Sequence, residues 1–120
     1  MISVMIADDS DAIRMVLKDI ITIGQHNLAG ELNSGVEALE EYTKLKPDIF
    51  LLDMAMPKKD GLSVLKEIIG FDPNAKVIMI SASDNQDTVK ECIRLGARAY
   101  ILKPFNFQEV LDIITQVVKS

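Results

Sequence analysis

The sequence repeats one pattern five times: a short apolar run, then a longer segment with apolar residues at helical spacing. The clear apolar runs cover residues 4–7, 49–53, 77–80 and 99–102, and residues 28–32, which include Gly30 and Glu31, are a weaker run. Because a helical segment separates each run from the next, the runs are expected to pair as a parallel sheet with helices on both faces. The pattern predicts one α/β domain over residues 1–120, a doubly wound (βα)5 unit.

Polar and glycine residues mark the predicted helix ends. Ser10 or Asp11 is expected to cap the first helix, and Gly24 to end it. Residues 33–35, Asn-Ser-Gly, are expected to begin the second helix, and Gly96 to stop the fourth.

The third apolar run ends on a single carboxylate, Asp53. A continuous apolar run predicts a strand buried on both faces, so Asp53 should lie at the tip of a core strand. Burying a carboxylate there is unfavourable unless its charge has a use. Met56, Pro57 and the polar residues 58–61 then predict a loop beside it.

Other reactive side chains follow the other strands. In open parallel sheets the carboxyl ends of the strands lie along one edge, where ligands bind. The residues that fall at or just after such ends are Asp8, Asp9, Asp53, Ser81 and Lys103.

Three carboxylates at one edge favour a bound cation, and oxygen ligands without His or Cys favour Mg2+ over zinc. Asp9 and Asp53 are the expected direct ligands, with Asp8 acting through a water molecule. Lys103 adds a positive charge and Ser81 a hydroxyl donor. This set suits phosphoryl transfer, with Asp53 as the nucleophile.

Each residue also has a simpler interpretation when taken alone. Asp8 and Asp9 could be charges at a helix N-terminus, Ser81 a turn residue, and the Lys103-Pro104 pair a plain turn. Four strand ends with complementary chemistry favour the functional interpretation.

Net charge and composition argue against several classes of protein. The net charge of −5 argues against nonspecific nucleic-acid binding, which depends on cationic side chains. Cys92 is the one cysteine and is expected to be a buried apolar residue. The first residues lack a secretion signal, and no apolar run could span a membrane. A cytoplasmic monomer is therefore expected.

Taken together, the motifs resemble the receiver domain of two-component response regulators. The motifs that carry this resemblance are Asp8-Asp9, Asp53 with Met56-Pro57 and Asp60-Gly61, Ser81-Ala82, and Tyr100 with Lys103-Pro104-Phe105. The resemblance covers the whole chain. It implies a flavodoxin-like sheet of strand order 2-1-3-4-5.

The resemblance also implies residue roles. A histidine kinase would donate a phosphoryl group to Asp53, with Mg2+ bound by Asp9, Asp53 and the backbone carbonyl of Ala55. Lys103 and Ser81 would bind the phosphoryl group. Tyr100 would change rotamer as the switch, and the Lys103–Pro104 peptide bond would be cis.

The chain is expected to be a phosphoacceptor switch that catalyses only its own phosphorylation and dephosphorylation. We expect no output domain, because no residues remain after the last predicted helix. A receiver domain that stands alone is similar to the chemotaxis type, which binds a motor or adaptor protein. The expected partner face consists of the fourth helix, the fifth strand and the fifth helix. A phosphatase is a further expected partner. Many members of the family have a polar side chain at the position of Ala55, so the resemblance does not predict how long the phosphate stays on Asp53.

Three other functions share part of this pattern. A phosphorelay shuttle, which passes phosphate to a histidine phosphotransfer protein, is not separated from the chemotaxis type by the sequence. An aspartate-nucleophile phosphatase would carry a second acid two residues after the nucleophile, where this chain has Ala55. A flavodoxin-like nucleotide binder would need a phosphate-binding loop after the first strand, where Asp8 and Asp9 would repel phosphate.

Overall fold

Five parallel strands form a single sheet at the centre of the protein, in the order β2-β1-β3-β4-β5. The computed structural model describes residues 2–120. The strands are β1 (Ser3–Ala7), β2 (Asn27–Leu32), β3 (Ile49–Asp53), β4 (Val77–Ser81) and β5 (Ala99–Leu102). The helices are α1 (Asp11–Ile23), α2 (Ala38–Leu45), α3 (Gly61–Phe71), α4 (Gln86–Arg94) and α5 (Phe107–Lys119). The predicted fold class and strand order are confirmed.

Alternation along the strands divides the core into two layers. Met5 and Phe50 point to one face of the sheet and pack with α2, α3 and α4, whereas Ile6 and Leu51 point to the other face and pack with α1 and α5. β3 lies between β1 and β4 and is buried at all five positions. This burial explains why its sequence is continuously apolar up to Asp53.

Most helix ends follow the predicted chemistry. The Ser10 hydroxyl accepts a hydrogen bond from the Ile13 N–H at 3.2 Å, so Ser10 is the cap of α1. Gly24 follows the last residue of α1. Gly96 comes after α4 with a φ of +112°, a conformation that favours glycine.

The start of α2 differs from the prediction. Asn33, Ser34 and Gly35 form a turn, and the helix begins three residues later at Ala38. A β-carbon on Gly35 would lie 2.5 Å from the carbonyl oxygen of Lys59. Gly35 is therefore needed where two loops touch, and it does not act as a helix start.

No helix in residues 2–120 combines the length and the apolar character needed to cross a membrane.

Candidate functional site

Three carboxylates meet at the carboxyl ends of β1 and β3. Asp8 directly follows β1, Asp53 is the last residue of β3, and Asp9 is the next residue after Asp8. One oxygen from each of these side chains lies within 4.8 Å of the others. Asp8 and Asp53 are buried and Asp9 is exposed. The fold thus brings together the acidic residues that the sequence placed at this edge.

Lys103 joins two of these carboxylates. Its Nζ donates to Oδ2 of Asp8 at 3.1 Å and to Oδ1 of Asp53 at 3.0 Å. The Lys103 N–H donates to the carbonyl oxygen of Ser81 at 2.7 Å, which fixes the residue beside the end of β4. The peptide bond from Lys103 to Pro104 is cis, as the resemblance implies. The side chain is 21% exposed, so its ammonium group is partly shielded from water.

The two oxygens of Asp53 differ in their surroundings. Oδ1 accepts the hydrogen bond from Lys103, whereas Oδ2 receives none from residues 2–120. Oδ2 is not sealed from solvent, because the one buried side-chain N or O atom without a partner in this part of the chain is Nδ1 of His26. Asp53 is only 3% exposed as a residue, so access is limited to this tip.

The electrostatics of the site depend on charge balance. Burial raises the pKa of the Asp53 carboxyl, the hydrogen bond from Lys103 opposes the rise, and the negative charge of Asp8 adds to it. Burial by itself lowers the pKa of Lys103. The hydrogen bonds from Lys103 to Asp53 and Asp8, together with the negative charges of these two residues, outweigh burial, so the pKa of Lys103 is raised. A divalent cation at this cluster would lower the pKa of Asp53 by favouring its charged form.

The donor set fits a hard cation. All three acidic side chains offer oxygen, and no His or Cys belongs to this cluster. Both Asp8 oxygens already have protein donors, the Ser10 N–H at 2.9 Å and Lys103. No hydrogen bond or ion pair within residues 2–120 engages the Asp9 carboxylate. Among the three carboxylates, Asp9 is therefore the one most open to a direct bond with a metal.

Ser81, the last residue of β4, is linked to Tyr100 of β5 through one loop residue. The Ser81 hydroxyl accepts a hydrogen bond from the Ser83 N–H at 3.0 Å, and the Tyr100 hydroxyl donates to the Ser83 carbonyl at 2.8 Å. Ser83 is thereby held from both sides. The hydroxyl groups of Ser81 and Tyr100 therefore bind the same loop residue.

The loop after Asp53 is fixed by close backbone packing. The N–H of Gly61 donates to the Met54 carbonyl at 2.8 Å, and a β-carbon at Gly61 would lie 2.2 Å from the Asp53 carbonyl oxygen. Ala55, two residues after Asp53, is exposed in this loop. The sequence indicated a loop here, but it gave no sign that Gly61 touches the backbone of Asp53.

Arg14 of α1 was also missed by the sequence analysis. Its Nη1 donates to the backbone carbonyl of Asp8 at 2.7 Å. The only sequence signal is a single cation one helical turn after Asp11 and close behind Asp8 and Asp9, and that signal is weak.

Comparison with known proteins agrees with this geometry. The family model described as "Response regulator receiver domain" matches residues 4–115. The chemotaxis protein CheY of Thermotoga maritima is 46% identical over 116 residues, which is 97% of each chain. Sporulation initiation phosphotransferase F of Bacillus subtilis is 34% identical over 111 residues, 92% of this chain and 89% of that protein.

A solved structure is similar along nearly the whole chain. The CheX-CheY-BeF3-Mg2+ complex from Borrelia burgdorferi contains a chain with a TM-score of 0.93 and 38% identity, covering 96% of this chain and 87% of that chain. Family match, sequence identity and fold agree, and the protein belongs to the family of response regulator receiver domains.

Proposed function

We propose that residues 1–120 act as one receiver domain that accepts a phosphoryl group from a histidine kinase onto Asp53. The observation that carries this proposal is the asymmetry of the Asp53 carboxylate. Lys103 binds Oδ1 at 3.0 Å, while Oδ2 has no hydrogen-bond donor in the described part of the chain. A buried carboxylate with one oxygen oriented and one oxygen free is equipped to act as a nucleophile.

In the proposed reaction, Oδ2 of Asp53 attacks the phosphorus of a phosphohistidine. The P–N bond breaks, and its electron pair goes to the imidazole nitrogen, while a P–O bond forms at Asp53. Lys103 compensates the negative charge of the phosphoryl oxygens. Ser81 uses its hydroxyl oxygen to accept from Ser83, so its own O–H remains able to donate to the phosphoryl group.

Mg2+ is the proposed cofactor, held by Asp9, Asp53 and the carbonyl of Ala55, with Asp8 acting through water. The engaged oxygens of Asp8 and the unpaired carboxylate of Asp9 support this division. When bound, Mg2+ would supply positive charge for the phosphoryl oxygens and keep Asp53 ionised. The similar Borrelia complex contains BeF3 and Mg2+, which supports Mg2+ as the cofactor here.

We further propose that the protein is a switch in chemotaxis signalling, with no turnover of external substrates. The relatives named CheY support the pathway, and the absence of a second acid at Ala55 supports the lack of turnover. The single free thiol, Cys92, is compatible with a cytoplasmic protein. We expect it to act as a monomer.

The proposed face for a motor or adaptor protein comprises α4, β5 and α5. Three apolar side chains are exposed there, namely Ile93, Leu102 and Phe107. Tyr100 lies on the same face and is linked through Ser83 to the proposed phosphoryl ligand Ser81. Phosphorylation could therefore change partner affinity at this face, and a phosphatase would reset it.

A phosphorelay shuttle is the second candidate. The identity to sporulation initiation phosphotransferase F favours it. Incubating the phosphorylated protein with a histidine phosphotransfer protein decides between the two. Rapid transfer of phosphate to that protein would favour the shuttle, and retention of phosphate with gain of adaptor binding would favour the chemotaxis switch.

The phosphoacceptor assignment is tested by treating the protein with a small phosphodonor, with Mg2+ or with a chelator, and measuring intact mass. Wild type should gain one phosphoryl group only with Mg2+. Asp53→Asn should gain none, because an amide cannot attack as an anion. Asp19→Asn, which changes an exposed carboxylate on α1, is the matched control and should react like wild type. Equal phosphorylation of Asp53→Asn would overturn the assignment.

A further inference from the structure

Arg14 is held in one orientation by three acceptors from three different parts of the chain. Nη1 donates to the Asp8 carbonyl at 2.7 Å, Nε to Glu31 of β2 at 3.3 Å, and Nη2 to the Asp11 carboxylate. The Arg14 side chain is only 14% exposed. Exposed arginine pairs often contribute little to stability, but a guanidinium that is largely shielded and has a fixed fork of donors imposes a geometry on its acceptors.

The acceptor of interest is the carbonyl of Asp8, because it belongs to the peptide group that joins Asp8 to Asp9. The rest of Asp8 is already fixed: its N–H donates to the Leu32 carbonyl at 3.1 Å, and Lys103 and Ser10 bind its carboxylate. Asp9 has no such support, since no hydrogen bond in residues 2–120 holds its side chain. The planar Asp8–Asp9 peptide fixes the position of the Asp9 Cα atom, from which the Asp9 side chain extends.

We propose that Arg14 is a positioning residue for the Asp9 metal ligand: it holds the Asp8–Asp9 peptide and thereby aims the Asp9 carboxylate at the cation site. This inference rests on the proposed function, which assigns Asp9 to the metal. Partners outside the ligand shell commonly contribute to metal affinity by fixing ligand orientation in this way.

The positive charge of Arg14 acts in the opposite direction, because it repels a cation. Two acidic partners, Asp11 and Glu31, surround it, and Lys18 also binds Glu31, at 3.0 Å. The four formal charges are +1 for Arg14, +1 for Lys18, −1 for Asp11 and −1 for Glu31, which sum to zero. Removing Arg14 would leave this group with one net negative charge, so the lost repulsion and the lost positioning would change Mg2+ affinity in opposite directions.

The two effects predict different results for Mg2+ affinity measured by titration calorimetry. If Arg14 positions Asp9, Arg14→Ala should weaken Mg2+ binding about tenfold. Arg14→Lys should also weaken it, because one ammonium keeps the charge but cannot span the three acceptors. If the charge alone mattered, Arg14→Ala would strengthen binding and Arg14→Lys would leave it unchanged, and either result would overturn the proposal.

Lys18→Ala is the matched control, because Lys18 binds the same Glu31 but does not contact Asp8. It should keep wild-type Mg2+ affinity. Thermal unfolding of each variant without metal checks the fold, and Arg14→Lys provides a second test should Arg14→Ala not fold. Equal loss of stability in Arg14→Ala and Lys18→Ala, with unchanged Mg2+ affinity in both, would assign Arg14 a structural role only.

The outcome is distinguishable from failure of the proposed function. The proposed metal site itself would be contradicted if the wild-type protein bound no Mg2+. It would also be contradicted if the Asp9→Asn variant bound Mg2+ with the same affinity as wild type. A wild-type protein that binds Mg2+ through Asp9, with no change in Arg14→Ala, would contradict only the role of Arg14.

Discussion

Individual residues at this site are held by close contacts, so few substitutions should be tolerated. Asp53 has one oxygen bound by Lys103, and its backbone carbonyl is covered by Gly61. The side chain of Asp53 is therefore held by the residue that follows β5, and its backbone is packed against the start of α3. The charges of Asp53 and Lys103 explain why these residue types occur here, whereas glycine at position 61 is explained by the lack of space for a β-carbon.

A substitution at Gly61 tests this packing. A β-carbon there would lie 2.2 Å from the Asp53 carbonyl oxygen, so Gly61→Ala should force the backbone apart and lower the free energy of unfolding by roughly 1–3 kcal/mol. Gly70→Ala is the control, because no atom lies within 4 Å of a β-carbon at that position. Chemical denaturation of both variants gives the comparison. Equal stability of the two would show that the loop adapts without cost.

At the scale of elements, α2 and the turn after α3 are joined by one hydrogen bond. The buried Tyr42 of α2 donates from its hydroxyl to the Asp72 carboxylate at 3.0 Å. Burial, the hydrogen bond to Asp72 and the negative charge of Asp72 all raise the pKa of Tyr42 above its usual value. The neutral phenol is therefore favoured in the folded protein.

This raised pKa predicts a pH dependence of stability. Because the folded protein holds the Tyr42 proton more tightly than the unfolded chain, the stabilisation is complete below pH 10.0, the ordinary pKa, and is lost as the pH rises above it. Tyr42→Phe should cost about 0.5–1.5 kcal/mol at neutral pH. The difference from wild type should shrink above pH 10.0. Urea unfolding at several pH values measures it, and a constant difference would contradict the assignment.

The loop between β4 and α4 contains Ser83, which binds both Ser81 of the proposed phosphoryl site and Tyr100 of the proposed partner face. Ser81→Ala removes the hydroxyl that accepts from Ser83, so the link to Tyr100 loses its first bond. We expect this variant to retain part of its phosphorylation but lose much of the phosphate-dependent gain in partner affinity. Such a gain would amount to about 1–3 kcal/mol if it resembles typical allosteric couplings.

Binding titrations of wild type and Ser81→Ala, each with and without a phosphoryl mimic, measure this coupling. Amide chemical shifts should change from Asp53 through Ser83 to Tyr100 and α4 in wild type. Shifts confined to the loops around Asp53 would contradict the route through Ser83.

At the scale of the whole molecule, features that depend on the residues of a single strand could be predicted from the sequence. Continuous apolar runs identified the buried strands, and polar residues at their ends identified Asp8, Asp53, Ser81 and Lys103, which the fold brings to one edge. Features that depend on contacts between distant loops were not predictable. Gly35 lies against the backbone of Lys59 in another loop, and Arg14 reaches the Asp8 carbonyl from α1. Neither contact can be read from the spacing of residues along the chain.

The central claim is that the free oxygen of Asp53 becomes an acyl phosphate. Reduction of the phosphorylated protein with borohydride, followed by peptide mass spectrometry, tests it most directly, because the reagent converts an acyl phosphate on aspartate to an alcohol at that residue. The account predicts reduction at Asp53 alone, dependent on phosphodonor and Mg2+. Reduction at Asp8 or Asp9, or a stable phosphate on Ser81 with no reduction at Asp53, would contradict it.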